Sequence, residues 1–206
     1  MNCFIARENP SPPTPLPQGA RGERLKMERN FILAGFGGQG ILLAGTILAN
    51  SFMLDGKNVT WYPCYGAEMR GGTVNCEIVV SDTEVSSVHK QNCDYALVLN
   101  QQSFDRFVKN VKTGGTIVAN STLVAEAKPR EDIHYVFVPM GEIANKLGSN
   151  KVTNVVSLGV LASVFDIVSK DALKKAIEKV LGEKKRDLLP LNMKALDFGF
   201  SALSAV

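Results

Sequence analysis

Residues Asn30–Val59 read NFILAGFGGQGILLAGTILANSFMLDGKNV, and the fold turns on how this stretch divides. A short apolar run, Phe31–Ala34, enters the loop G-F-G-G-Q-G, and a long apolar segment, Gln39–Leu54, leaves it. A short apolar run, a glycine turn and a helix-length apolar segment predict a strand, a tight turn and a helix buried against a sheet. Gly35, Gly37 and Gly40 have the spacing G-x-G-x-x-G, the outline of a dinucleotide-binding fingerprint. In that pattern the first glycine permits the turn, the second a close backbone approach and the third tight helix–strand packing. The following helix aims free N–H groups and the positive end of its dipole at the loop, so an anion is welcome there.

The fingerprint lacks its companion. A nicotinamide or flavin dinucleotide site also needs an acid at the end of the second strand to hold ribose hydroxyls. The second strand reads VTWYPCYGA and has none. Asp55 lies at a suitable sequence distance but precedes Gly56, which places it in the turn between helix and strand. No Lys-Ser/Thr follows the glycines, so the loop is not a P-loop.

Outward from the loop, strands alternate with helices. Expected strands are Phe31–Ala34, Val59–Tyr62, Thr73–Val80, Tyr95–Leu99, Thr116–Ala119 and Tyr135–Val138. Expected helices are Gln39–Leu54, Ser103–Lys109, Gly141–Leu147, Val152–Val168, Asp171–Leu181 and Leu188–Leu203. This order predicts an α/β fold: a three-layer, Rossmann-like, mainly parallel sheet with a C-terminal helical segment. Val59–Tyr62 and Thr73–Val80 have no helix between them, so they form a hairpin-like insertion or a departure from simple winding. In DALKKAIEKVLG, Leu173, Ala176, Ile177, Val180 and Leu181 make one apolar stripe, with Gly182 as the stop. Asp187 is positioned to cap the last helix, with Pro190 in its first turn. Ser157, Gly159, Ala162 and Ser163 put small residues on the preceding helix, for close packing inside the domain or against a second copy of the chain.

The composition sets limits. At 206 residues, 45% hydrophobic and 21% charged, the chain has the size and balance of a globular domain. A net charge of +3, without a basic stripe interleaved with aromatics, gives no support for nucleic acid as a partner. Cys3, Cys64, Cys76 and Cys93 form no C-x-x-C pair, and only His89 and His134 could assist them. They read as scattered buried or half-buried thiols in a reducing cytoplasm, not as a zinc or iron–sulfur site. No signal peptide is evident, and the apolar stretch VVSLGVLASVFDIV is too short to span a bilayer and contains Asp166. Residues 1–26 carry five prolines and no hydrophobic period. They read as a disordered or extraneous extension, with the domain proper at 27–206.

A second loop is more specific than the first. In CYGAEMRGGTVNCEIVVSD, Glu68 and Arg70 stand between Gly66 and the pair Gly71–Gly72. The reading is either a salt-bridged surface turn or an arginine held for a carboxylate, a phosphate or a partner chain.

GFGGQGILLAGTILA followed by YGAEMRGGTVNCEIVVSD resembles the gamma subunit of 2-oxoacid:ferredoxin oxidoreductases, most of all in the 2-oxoglutarate branch. GEIANKLGSNKVTNVVSLGVLASVF, with an acidic-Ile-Ala segment before an Asn-bearing apolar helix, resembles the same family. The resemblance runs from about Glu28 to Leu203. It implies an accessory subunit of a complex that oxidatively decarboxylates a 2-oxoacid to an acyl-CoA and passes electrons to ferredoxin. In that family thiamine diphosphate binds between alpha and beta subunits, and iron–sulfur clusters sit on beta or a delta component. The present sequence has neither a cluster pattern nor the G-D-G…N thiamine segment; LDGKN and SDTE lack its order and spacing. The family pattern matches at Gly35, Gly37, Gly38, Gln39 and Gly40, which the resemblance implies face partner subunits or coenzyme A. It also matches at Glu68, Arg70, Gly71, Gly72 and Asn75, an implied docking loop. A free-standing nucleotide-binding oxidoreductase of Rossmann type is the competing reading, and a neighbouring gene for a thiamine-binding subunit would discriminate against it.

A chain shortened to begin at Met27 is expected to melt at the temperature of the full chain, because the residues before it offer no core contacts. Calorimetric melting of both forms checks this; a loss of ~4 °C or more would show that the segment contributes on the order of 1 kcal/mol of packing.

Overall fold

The computed structural model of the chain describes residues 27–65, 72–85, 87–125, 130–165 and 168–203. The expected extension 1–26 lies outside the described residues, as do Glu68, Arg70 and Gly71. The strands are β1 (Glu28–Phe36), β2 (Asn58–Tyr65), β3 (Thr73–Ser81), β4 (Cys93–Val98), β5 (Val111–Asn120) and β6 (His134–Val138). The helices are α1 (Ile41–Leu54), α2 (Gln101–Phe107), α3 (Met140–Lys146), α4 (Thr153–Phe165), α5 (Lys170–Leu181) and α6 (Leu189–Ser201). Each expected element is present, with shifted ends.

The six strands make one sheet in the order β2-β3-β1-β4-β5-β6. β1 pairs parallel with β4, β4 with β5, and β5 with β6. β3 runs antiparallel to both β1 and β2. The pair without an intervening helix is therefore an antiparallel extension, and it enters the sheet beside β1. This insertion puts β3, not β2, next to the first strand.

β1 is buried on both faces, which accounts for its unbroken apolar run. Phe31 and Leu33 face a large core shared with α1, α3, α4, α5 and α6. Ile32 and Ala34 face a smaller core closed by Phe104 and Phe107 of α2. Among the described residues the sheet thus has helices on both faces but unequally: five against one. Phe31 anchors the larger core, with its ring 5.5 Å from Phe52 of α1 and 5.1 Å from Tyr95 of β4. Phe31 and Phe52 are fully buried, and each such ring stabilises the fold by about 1.5–3 kcal/mol relative to exposure.

α4 is buried from Asn154 to Ala162, as its nearly continuous apolar sequence requires. Its small residues serve the interior. A Cβ at Gly159 would sit 2.9 Å from the Cα of Gly199 of α6, so the two helix backbones touch at a glycine pair. α5 is amphipathic: Ala172, Leu173, Ala176, Ile177 and Leu181 are buried, and Gly182 ends the helix at φ 61°. Ser169 caps its start by accepting from the Ala172 amide at 3.0 Å. Asp55 is the C-cap of α1, in the turn after the helix as expected, and its carboxylate accepts from the Ser169 amide at 3.3 Å. Asp187 does not cap α6: Leu188 holds the N-cap position without a side-chain bond, and Asp187 lies in a preceding 3-10 turn, Glu183–Leu188. Pro190 falls in the first turn of α6, as its missing N–H allows.

Gly199→Ala is expected to destabilise the chain by about 1–3 kcal/mol, because the added methyl would strike the Val156 carbonyl on α4. Urea unfolding of the variant beside the parent measures the cost. An unchanged midpoint would mean that α4 and α6 separate without penalty.

Candidate functional site

The glycine loop and the residues that flank the second loop, Tyr65 and Gly72, lie on one edge of the sheet. β1, β4, β5 and β6 run parallel and end there. β2 ends and β3 begins there too, since Tyr65 pairs with Val74 and Phe36 with Thr73. After β1 the chain turns to α1 on one face; after β4 it turns to α2 on the other. Neighbouring parallel strands whose connections part in this way leave a crevice outside their carboxyl ends, the usual ligand position in open α/β sheets.

The glycine loop spans this crevice. Gly35 is still in β1, opposite Val74. Gly37 and Gly38 are exposed. The Gly37 amide donates to the Gly72 carbonyl at 3.1 Å, and so ties the loop to the β2–β3 connection. The Gln39 amide donates to the Phe36 carbonyl at 3.1 Å, so Gln39 closes the turn and α1 begins at Ile41 rather than at Gln39. Gly40 is the N-cap of α1 in a left-handed conformation, φ 75°. A Cβ on it would lie 2.5 Å from Asn154 Nδ2. The role expected for Gly40, helix–strand packing, is therefore corrected: Gly40 makes room for the first turn of α4. Helix–strand packing falls to Gly45, where a Cβ would strike Cys76 of β3 and Trp61 of β2.

Four carboxamides organise the same edge: Gln39, which the family pattern already included, and Asn100, Asn120 and Asn154, to which the sequence assigned no role. Gln39 Oε1 accepts from the Phe36 amide at 2.6 Å and from Asn100 Nδ2 at 3.0 Å. Asn100, two residues beyond the end of β4, also caps α2 by accepting from the Ser103 amide at 2.9 Å. Asn120, the last residue of β5, donates to the Leu99 carbonyl and accepts from the amides of Thr122 and Gly141. Asn154 donates to the Gly40 carbonyl at 3.2 Å. Asn100, Asn120 and Asn154 are all buried. The one available signal was positional: each stands close to a strand end or a helix start, where side-chain amides cap backbone.

The second loop contributes Gly72, whose carbonyl holds Gly37, and Asn75, which is buried in β3 opposite Cys64. Glu68, Arg70 and Gly71 lie outside the described residues. An unforeseen cation stands nearby: Arg106 of α2 is exposed, and its Nη1 donates to Thr73 Oγ1 at 3.2 Å. Its guanidinium carbon lies 5.1 Å from the centroid of the Phe107 ring.

Burial pushes the Cys64 thiol up, as does the Glu77 charge, against an Asn75 hydrogen bond and the Arg106 charge. Burial pushes the Cys76 and Cys93 thiols up to about 12. No three His, Cys, Asp or Glu residues gather as a metal site among the described residues. A dinucleotide fits poorly for a topological reason. The strand beside β1 is β3, which begins at this edge with Thr73, so among the described residues no strand-end acid stands where a ribose would be held. Among the described residues no helix is long and apolar enough to cross a membrane.

Comparison with known proteins agrees with this geometry. The sequence model of the family described as pyruvate ferredoxin/flavodoxin oxidoreductase matches residues 30–202. The 2-oxoglutarate synthase subunit KorC of Methanocaldococcus jannaschii is 37% identical over 157 residues, 75% of this chain and 84% of that one. The ketoisovalerate oxidoreductase subunit VorA of Methanothermobacter marburgensis is 34% identical over 81% of this chain, which spans only 35% of VorA. The crystal structure of the gamma subunit of a keto/oxoacid ferredoxin oxidoreductase from Geobacter sulfurreducens superposes with a TM-score of 0.77 at 31% identity, over 87% of this chain and 98% of that one.

Gly40→Ala is expected to cost about 1–3 kcal/mol, through a left-handed backbone that alanine resists and the clash with Asn154. Thermal melting checks this, and the double variant with Asn154→Ala should recover part of the loss. Equal losses in both would place the strain elsewhere.

Proposed function

The chain belongs to the pyruvate ferredoxin/flavodoxin oxidoreductase family, and we propose that it is the gamma, accessory subunit of a thiamine-diphosphate-dependent 2-oxoacid:ferredoxin oxidoreductase. The complex would convert a 2-oxoacid to its acyl-CoA with electrons delivered to ferredoxin; 2-oxoglutarate is the proposed substrate, from the likeness to KorC. The observation that carries this reading is the bond between Gly37 and Gly72. It joins the two loops of the family pattern into one surface at the carboxyl edge of the sheet.

The residues present suit a surface that docks rather than one that performs chemistry. The N-terminal turns of α1 and α4 meet at Gly40 and Asn154, so two helix dipoles present their positive ends to the same edge. Arg106 adds a full positive charge beside them. This edge is proposed to face alpha and beta subunits, and an anionic portion of coenzyme A, with Glu68, Arg70, Gly71, Gly72 and Asn75 as the docking loop. Thiamine diphosphate, held by the other subunits, supplies the carbanion chemistry of decarboxylation, and their clusters carry the electrons. The gamma chain is proposed to act in the cytoplasm, and the segment 1–26 to be dispensable for this role.

The isolated chain should oxidise no 2-oxoacid, and calorimetry with NAD, NADP or FAD should show no binding at micromolar concentration. Added alpha and beta partners with their cofactors should give CoA-dependent reduction of ferredoxin or a viologen dye. In that complex Arg70→Ala should weaken assembly by about 2–5 kcal/mol, as for a desolvated charge contact, rather than the ~1 kcal/mol of a surface pair. Tight nucleotide binding by the isolated chain would favour the free-standing dehydrogenase instead.

A further inference from the structure

Asn100 does two jobs with one side chain. Its Oδ1 accepts from the Ser103 amide and starts α2; its Nδ2 donates to Gln39 Oε1. That oxygen also accepts from the Phe36 amide, so both of its lone pairs are used. The side-chain amide of Gln39 is thereby held by its oxygen end from two directions. Its Nε2 forms no hydrogen bond among the described residues and remains the unused, donating end. Asn100 itself is 2% exposed, and the residue before it is tied to β1: the Leu99 amide donates to the Ala34 carbonyl at 3.0 Å.

We infer that Asn100 is a positioning residue: through Gln39 it fixes the glycine loop to the start of α2, so that the loop and Arg106 are presented as one body. The loop has a tether on each side of its exposed glycines, Gly72 on the β3 side and Asn100 on the β4 side. Only Gly38 lies between the residues so held, Gly37 and Gln39. Without the Asn100 tether the Gln39 amide loses one of its two donors and can rotate, which releases the Phe36 amide and frees Nε2 from a set direction. This inference rests on the reading that the loop faces coenzyme A or partner subunits, but its structural part is separately testable.

Asn100→Ser separates the two jobs, because a serine hydroxyl caps a helix about as well as an asparagine but brings no second donor to Gln39. In the full chain, hydrogen exchange read by mass spectrometry should show the amides of Phe36–Gly40 exchanging about tenfold faster, with a melting temperature within ~2 °C of the parent. Gln39→Met should reproduce the fast exchange, and Gln39→Glu, which keeps the acceptor, should not. In the reconstituted complex, Asn100→Ser should raise the KM for coenzyme A, or the dissociation constant for the partner subunits, more than it lowers kcat. Unchanged exchange at Phe36–Gly40 in both Asn100→Ser and Gln39→Met would overturn the inference. So would faster exchange spread evenly over β4 and α2, which would reduce Asn100 to a helix cap. Faster loop exchange with KM and assembly unchanged would uphold the tether and sink the reading that this loop meets coenzyme A or partners.

Discussion

β1 has to become α1 within four residues while both remain buried, and Gly40 makes this possible. Its left-handed backbone turns the chain, and the absence of a side chain lets Asn154 of α4 lie against the turn and hold its carbonyl. Much of the larger core depends on that contact. α1 and α4 are both drawn onto the same face of the sheet, and α6 packs on α4 through the glycine pair Gly159 and Gly199. Any side chain at position 40 would push the start of α4 away from the start of α1. The cost would be felt in packing before it was felt at a ligand, since close-packed interiors transmit small displacements.

The antiparallel insertion of β3 beside β1 decides what the glycine loop can serve. In a dinucleotide fold the neighbouring strand runs parallel and brings its carboxyl end, with an acid, to the loop. Here the neighbour brings its amino end, with Thr73, and the connection from β2. A loop of dinucleotide spacing is thereby converted into half of a composite surface, joined to the other half by the Gly37–Gly72 bond. The carboxamides of Gln39, Asn100, Asn120 and Asn154 satisfy the backbone groups that so many chain turns leave open at this edge. Their neutrality matters. Buried carboxylates in these places would oppose the positive helix ends, whereas amides hold the geometry and leave the field of the two dipoles and Arg106 intact.

Periodicity was enough to read the elements of this protein. An unbroken apolar β1, an amphipathic α5 and a thoroughly apolar α4 follow from how many faces each buries, which depends on local sequence alone. The missing acid after the second strand, the Asp55 turn and the two family loops were equally legible, because each is a matter of residue type at a short spacing. Three things were decided only by tertiary structure. Strand order put β3 beside β1, through pairing between residues far apart in the chain. The neighbour of Gly40 is Asn154, a hundred and more positions away, so the role of that glycine changed from helix–strand to helix–helix packing. The bonds from Asn100 and Arg106 to the two loops were invisible for the same reason: a hydrogen bond depends on where two side chains meet, and a one-dimensional pattern records only what each is able to donate or accept.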